Sequence, residues 1–170
     1  MTIDETTRDG RVEETVCRVA IQALLGAYAD DINRRSFGGL SALFLPDARI
    51  ELTTLKQQPL VLTGPEALGR FIAEFVERLD FFQFVLLNSR LELRLDADAA
   101  LGRHFICEYR WEKAGKPFTR VFGVYRDRYR RIDGRWWFAE RVFDPLLSAG
   151  SDDHVVGFPT RFEPFLSSDG

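Results

Sequence analysis

The sequence predicts an α+β domain in which helices lie on one side of a strongly bent antiparallel sheet, and three observations predict it. The stretch from Ala99 to Asp144 reads as three long strands, AALGRHFICEYRW, FTRVFGVYRDRYRR and RWWFAERVFD, rich in aromatic and β-branched residues. The runs between them, EKAGKP and IDG, carry the turn residues of a meander. The N-terminal half instead spaces its apolar residues at helical intervals. Strands this long, rising ~3.3 Å per residue, have to coil strongly and wrap something. A helix, a ligand or both must fill the concave face.

In chain order, residues 1–12 are polar and acidic and are expected to form a disordered tail rather than a targeting peptide. Val16, Val19, Ala20, Ala23, Leu24, Ala27 and Tyr28, widened by Cys17, Ile21 and Leu25, mark a helix from about Glu13 to Arg35 with a broad buried face. Gly38-Gly39 breaks it. A short helix, LSALF, ends before Pro46-Asp47, and a strand, ARIELTTL, follows. Thr63-Gly64-Pro65-Glu66 reads as a helix start with Thr63 as the cap and Glu66 as its capping-box partner. Leu68, Phe71, Ile72, Phe75, Val76 and Leu79 carry that helix to about Asp80, and Phe81 to Leu95 turns to strand, closed by DADA. The domain is expected to span residues 13–145. Residues 146–170 form a C-terminal tail, or a flap that brings Phe158, Phe162 and Phe165 over a pocket mouth.

Composition narrows the function. The 23 Lys and Arg are nearly matched by 26 Asp and Glu, and the densest basic run, Arg126 to Arg135, is interleaved with Asp127 and Asp133. That run reads as a solvated strand face, so no nucleic-acid partner is expected. No apolar run approaches the ~18 residues a membrane span needs. Cys17 and Cys107 lack paired-cysteine spacing and read as buried free thiols of a cytoplasmic protein. Two distant histidines give no metal-ligand spacing, and GPEALGR matches neither phosphate-binding fingerprint, so neither a metal nor a cofactor is expected.

Several segments together carry a family resemblance: IQALLGAYADDINRRSFGGLSALFLPDARI, TGPEALGRFI, FQFVLLN and YRDRYRRIDGRWWFAERV. Over about Val19 to Asp144 the chain resembles the SnoaL-like branch of the NTF2-like superfamily. The resemblance implies a cone-shaped α+β barrel, its curved sheet wrapped around the N-terminal helix. That fold serves many activities, so it does not name one. Scytalone dehydratase and hexachlorocyclohexane dehydrochlorinase, the catalytic relatives this resemblance brings nearest, use an Asp-His dyad. The aligned positions here hold Asn33 and Phe84, the latter in the triplet Phe82-Gln83-Phe84. Neither side chain can act as a base.

Other chemistry can still point into the cone. Strand alternation puts His104, Ile106, Glu108 and Arg110 on one face and Phe105, Cys107, Tyr109 and Trp111 on the other. Packing of the more apolar odd face against helices would leave the even face outside; the resemblance implies that the even face turns inward, with Val121, Gly123 and Tyr125 of the next strand. On that implication His104, Glu108 and Tyr28 are the candidate catalytic groups, and Asn33, Gln83, Phe84, Arg110 and Tyr125 the candidate substrate-binding ones. An isolated strand histidine and a Glu-x-Arg pair can equally be structural. The expected function is a cofactor-independent lyase or isomerase (dehydratase, cyclase or isomerase) acting on a small apolar molecule by acid–base chemistry. The alternative is a non-catalytic binding protein. A homodimer is expected, because the outer sheet face carries large apolar residues.

Overall fold

The fold comes from a computed structural model that describes residues 5–53, 58–113, 116–150 and 154–155. Helix α1 spans Glu5–Asn33, a 3-10 turn Phe37–Ala42, and helix α2 Pro65–Val76. The strands are β1 Phe44–Leu52, β2 Leu60–Thr63, β3 Leu79–Arg94, β4 Ala99–Glu112, β5 Phe118–Ile132, β6 Arg135–Ala149 and β7 His154–Val155. They form one sheet in the order β2-β1-β6-β5-β4-β3, with β7 added to β6. The meander β3–β6 is antiparallel as expected, whereas β1 joins β6 in parallel.

Helix α1 buries Cys17, Ile21, Leu24, Leu25, Tyr28 and Ile32 against the sheet, while Val16 and Val19 stay exposed. The stripe is thus turned from the one expected through Val16, Val19 and Ala23. With apolar residues on more than half the helix circumference, both phases satisfy the same periodicity. The helix also begins at Glu5 rather than near Glu13. Its added turns are exposed from Arg8 to Val12, so no apolar face announces them, and nothing in the sequence before Glu13 breaks a helix as a proline would.

Two starts differ for backbone reasons. Pro46 lies inside β1, at the register shift between Phe44 and Arg49, which is where a strand tolerates a residue without an N–H. The cap of α2 is Gly64, not Thr63, and no side chain caps it. Gly64 has φ +80°, its N–H bonds Ala48 O at 2.8 Å, and a Cβ there would meet Pro46 O at 2.6 Å. That close approach uses the glycine, and Thr63 pairs with Arg49 as the last residue of β2.

The end of the chain differs as well. β6 runs through Pro145 to Ala149, past the expected boundary at 145, and pairs with β7 through Ser148 and His154. Phe158, Phe162 and Phe165 lie outside the described residues.

Candidate functional site

The inner sheet face and α1 enclose a cavity of about 280 Å³, with α2 along one side. Most of its wall is apolar, including Ile32, Leu68, Phe75, Phe82 and Phe143. The even face of β4 turns inward: His104 and Ile106 have no exposure and Glu108 9%. Of the expected site residues, Tyr28, Phe84, Glu108, Arg110 and Tyr125 line this cavity.

The other three do not line it. His104 is sealed in the sheet layer, with Nδ1 2.9 Å from Ser89 Oγ and Nε2 2.9 Å from Tyr129 Oη. Gln83 is on the opposite face of β3 from Phe82 and Phe84, in an outer groove with Phe81, Trp111 and Phe118. Asn33, at the exposed end of α1, uses its whole amide on one residue: Nδ2 donates to Phe84 O at 2.9 Å and Oδ1 accepts from Phe84 N at 2.7 Å. This pair of bonds ties α1 to β3, the end strand of the sheet. Asn33→Asp is therefore expected to cost about 1–2 kcal/mol at neutral pH, because a carboxylate would face the Phe84 carbonyl and sit at a helix C-terminus. Urea midpoints should show this deficit shrinking in acid, where a protonated Asp can donate to Phe84 O.

Sequence reasoning missed the charged centre of the site. Arg141 on β6 is 1% exposed and bonds Asp127 on β5 through Nε (2.8 Å) and Nη2 (2.7 Å). Its guanidinium carbon lies 4.2 Å from the ring centroid of Tyr28, 4.1 Å from that of Tyr125 and 4.4 Å from that of Phe138. Its Nη1 is buried with no hydrogen-bond acceptor. Burial works against this charge, and the charge and hydrogen bonds of Asp127 more than offset it, so Arg141 is held firmly as a cation. Asp127 and Tyr129, 2% and 1% exposed, correct the reading of Arg126 to Arg135 as a wholly solvated face. The signal was available: Val121, Gly123 and Tyr125, expected inward, are in phase with Asp127 and Tyr129.

Proton positions in this cluster follow from donor counting. The Asp127 carboxylate only accepts, so Tyr129 Oη donates to Oδ2 at 2.9 Å and accepts in turn from His104 Nε2–H. His104 Nδ1 then carries the lone pair and accepts from Ser89. Burial, reinforced by Arg141 and opposed by Asp127, lowers the His104 pKa to about 4. The folded value is below the unfolded ~6.5, so as pH falls the unfolded chain takes the proton first. Stability from this group is complete above ~6.5 and declines by about 3 kcal/mol between there and about 4. The wild-type minus His104→Gln difference in urea midpoint should therefore fall across that window; a flat difference would contradict the burial of a neutral imidazole.

At the cavity wall, the rings of Tyr28 and Tyr125 meet edge to face with centroids 6.2 Å apart, and the Arg141 guanidinium lies against both. Burial raises both pKa values, and Arg141 pulls each back. Glu108 faces the same pair and accepts Arg110 Nε at 3.0 Å, with Arg110 Nη2 also on Oε2. Among the described residues no cluster of three or more His, Cys, Asp or Glu side chains could hold a metal ion.

Residues 13–142 match the model of the SnoaL-like domain. The chain belongs to that family. No curated protein matches the sequence. Solved structures share the fold. One is hexachlorocyclohexane dehydrochlorinase LinA-type3 from Novosphingobium barchaimii LL02, at 22% identity and TM-score 0.73 over 88% of this chain and 99% of that one. A protein of Novosphingobium aromaticivorans DSM 12444, provisionally named a scytalone dehydratase, matches at 17% identity and TM-score 0.72 over 88% and 97%. An NTF2-like protein with a cystatin-like fold, also from Novosphingobium aromaticivorans, matches at 19% and 0.72 over 86% and 92%. This SnoaL-like chain therefore has the α+β, NTF2-like architecture that its sequence predicts.

Proposed function

We propose that this SnoaL-like protein is a cofactor-independent enzyme of lyase or isomerase type that acts on a small, largely apolar carbonyl compound. One observation carries the reading: Glu108 shares an aromatic cavity with Tyr28 and Tyr125, both packed against Arg141, whose Nη1 has no acceptor. Glu108 takes the proton from the carbon beside the carbonyl, and the electron pair moves to the oxygen. Tyr28 donates a hydrogen bond to that oxygen, and Arg141 stabilises the charge that develops there. Arg110 orients Glu108. The dehydrochlorinase and dehydratase names of similar folds accord with proton abstraction, but at 17–22% identity they support the fold alone.

A second reading rests on the Glu108–Arg110 pair: with the carboxylate already bonded, the cavity could hold a ligand without reacting with it. Small ketones incubated with the protein in D2O separate the two. The enzyme reading expects deuterium to enter beside the carbonyl faster than in buffer; a ketone that raises the melting temperature but exchanges at the buffer rate supports the binding reading instead.

The proposal includes a homodimer. Phe81, Trp111 and Phe118 are 42%, 51% and 44% exposed on the outer face, more apolar surface than a solvated sheet usually presents. Sedimentation at micromolar concentration should give about twice the 19.5 kDa of one chain. No helix among the described residues is long and apolar enough to cross a membrane, and a cytoplasmic location is part of the same proposal.

A further inference from the structure

A polar chain crosses four adjacent strands and reaches the cavity at Arg141. It begins at the exposed Ser89 on β3, passes through His104 on β4 and Tyr129 and Asp127 on β5, and ends at Arg141 on β6. Ser89 is paired with His104, and Asp127 with Arg141, in the strand register. The packing leaves room for nothing else. A Cβ at Gly102 would meet His104 Nε2 at 2.2 Å and Tyr129 Cε2 at 2.8 Å, so the glycine in β4 is the space the two rings occupy.

Each link has a single arrangement of donors. Asp127 receives Nε and Nη2 of Arg141 and the hydroxyl of Tyr129. Tyr129 gives its hydrogen to Asp127, and His104 Nε2–H fills its acceptor side. Were His104 inverted to the Nδ1–H form, two lone pairs would oppose each other at Tyr129. The Asp127 carboxylate could then rotate, and Arg141 with it.

We propose that Asp127, Tyr129 and His104 are positioning residues that lock the Arg141 guanidinium in register, so that Nη1 is the donor kept for the oxygen of a cavity-bound molecule. None of the three touches the cavity occupant; they act through Arg141. This rests on the reading of the cavity as a carbonyl site, and the two are separable by experiment. The groups that face His104 are the charges of Asp127 and Arg141 and the hydroxyls of Tyr129 and Ser89. Neither hydroxyl titrates near neutrality.

The test starts without any ligand. In the ¹⁵N-labelled full chain, two-bond ¹H–¹⁵N correlations of His104 should show a protonated Nε2 and a bare Nδ1, unchanged between about pH 8 and 5.5. An Nδ1–H tautomer, or titration near the ordinary ~6.5, overturns the relay. Acetophenone then serves as the probe in calorimetry with the wild type, His104→Leu and His104→Gln. Leucine cannot donate to Tyr129, whereas the glutamine amide can. The Kd should rise about tenfold in His104→Leu and by less than about twofold in His104→Gln, and equal Kd changes in the two variants overturn the proposal. If acetophenone does not bind the wild type, the carbonyl reading fails and the relay is judged on solvent exchange of Arg141 Nε–H. That exchange should be at least about tenfold slower in the wild type than in His104→Leu; equal rates overturn the relay. Should His104→Leu not fold, the wild-type tautomer and its pH response decide alone.

Discussion

Asp127→Ala is expected to lower the unfolding free energy by about 3–5 kcal/mol, the largest stability loss of any single substitution considered for this chain. Arg141 would be left as a cation with no counterion inside a cage of aromatic rings, 1% exposed. The rings of Tyr28, Tyr125 and Phe138 attract it, but cation–π contacts of about 0.5–2 kcal/mol do not replace a bidentate carboxylate. The cost is that of an uncompensated charge rather than the net worth of the pair. The double change Asp127→Leu, Arg141→Met should accordingly recover most of the stability, as apolar replacement of buried pairs commonly does. Urea unfolding of the wild type, both singles and the double checks this. If the losses of the two singles simply add in the double variant, the pair is not the coupled unit that the 2.7 and 2.8 Å bonds imply.

Glu108→Gln is expected to reduce deuterium incorporation into a bound ketone by about 10²–10⁴-fold, the range general-base catalysis supplies. The amide matches the carboxylate in shape and can still accept from Arg110, so ligand affinity should change by no more than a few-fold. The paired change is Arg110→Met. Removing the guanidinium frees Glu108 Oε2 from both Arg110 hydrogen bonds while leaving the carboxylate in place. Exchange should persist in Arg110→Met, since the carboxylate that takes the proton remains. Exchange retained by Glu108→Gln would remove this residue from the mechanism.

The meander was legible because its signals agreed with one another. Strand-forming residues, the Asp133-Gly134 turn and strict alternation all point to β4–β6, and Ala99 begins β4 where its pattern begins. Helix α1 was legible in type but not in phase, since its apolar residues outnumber what one face can bury. The Glu108–Arg110 pair and the two tyrosines could be named because alternation and helical position grouped them and the family resemblance turned that group inward. Asn33 could not be placed, because its partners are backbone atoms of Phe84, to which a side-chain pattern is blind. Arg141 was hidden for a different reason. In a strand read as RWWFAERVFD, an arginine between polar and apolar neighbours looks solvated, and its burial follows only from the cross-strand register with Asp127.

The position of a carbonyl compound in the cavity decides its chemistry, and a crystal structure of the protein with a non-exchangeable ketone analogue measures that directly. The ketone oxygen is expected about 3 Å from Tyr28 Oη on the side facing Arg141, with the neighbouring carbon within reach of Glu108. An oxygen bonded to Arg110 with Tyr28 unbonded, or a ketone seated in the outer groove of Phe81, Trp111 and Phe118, would contradict it.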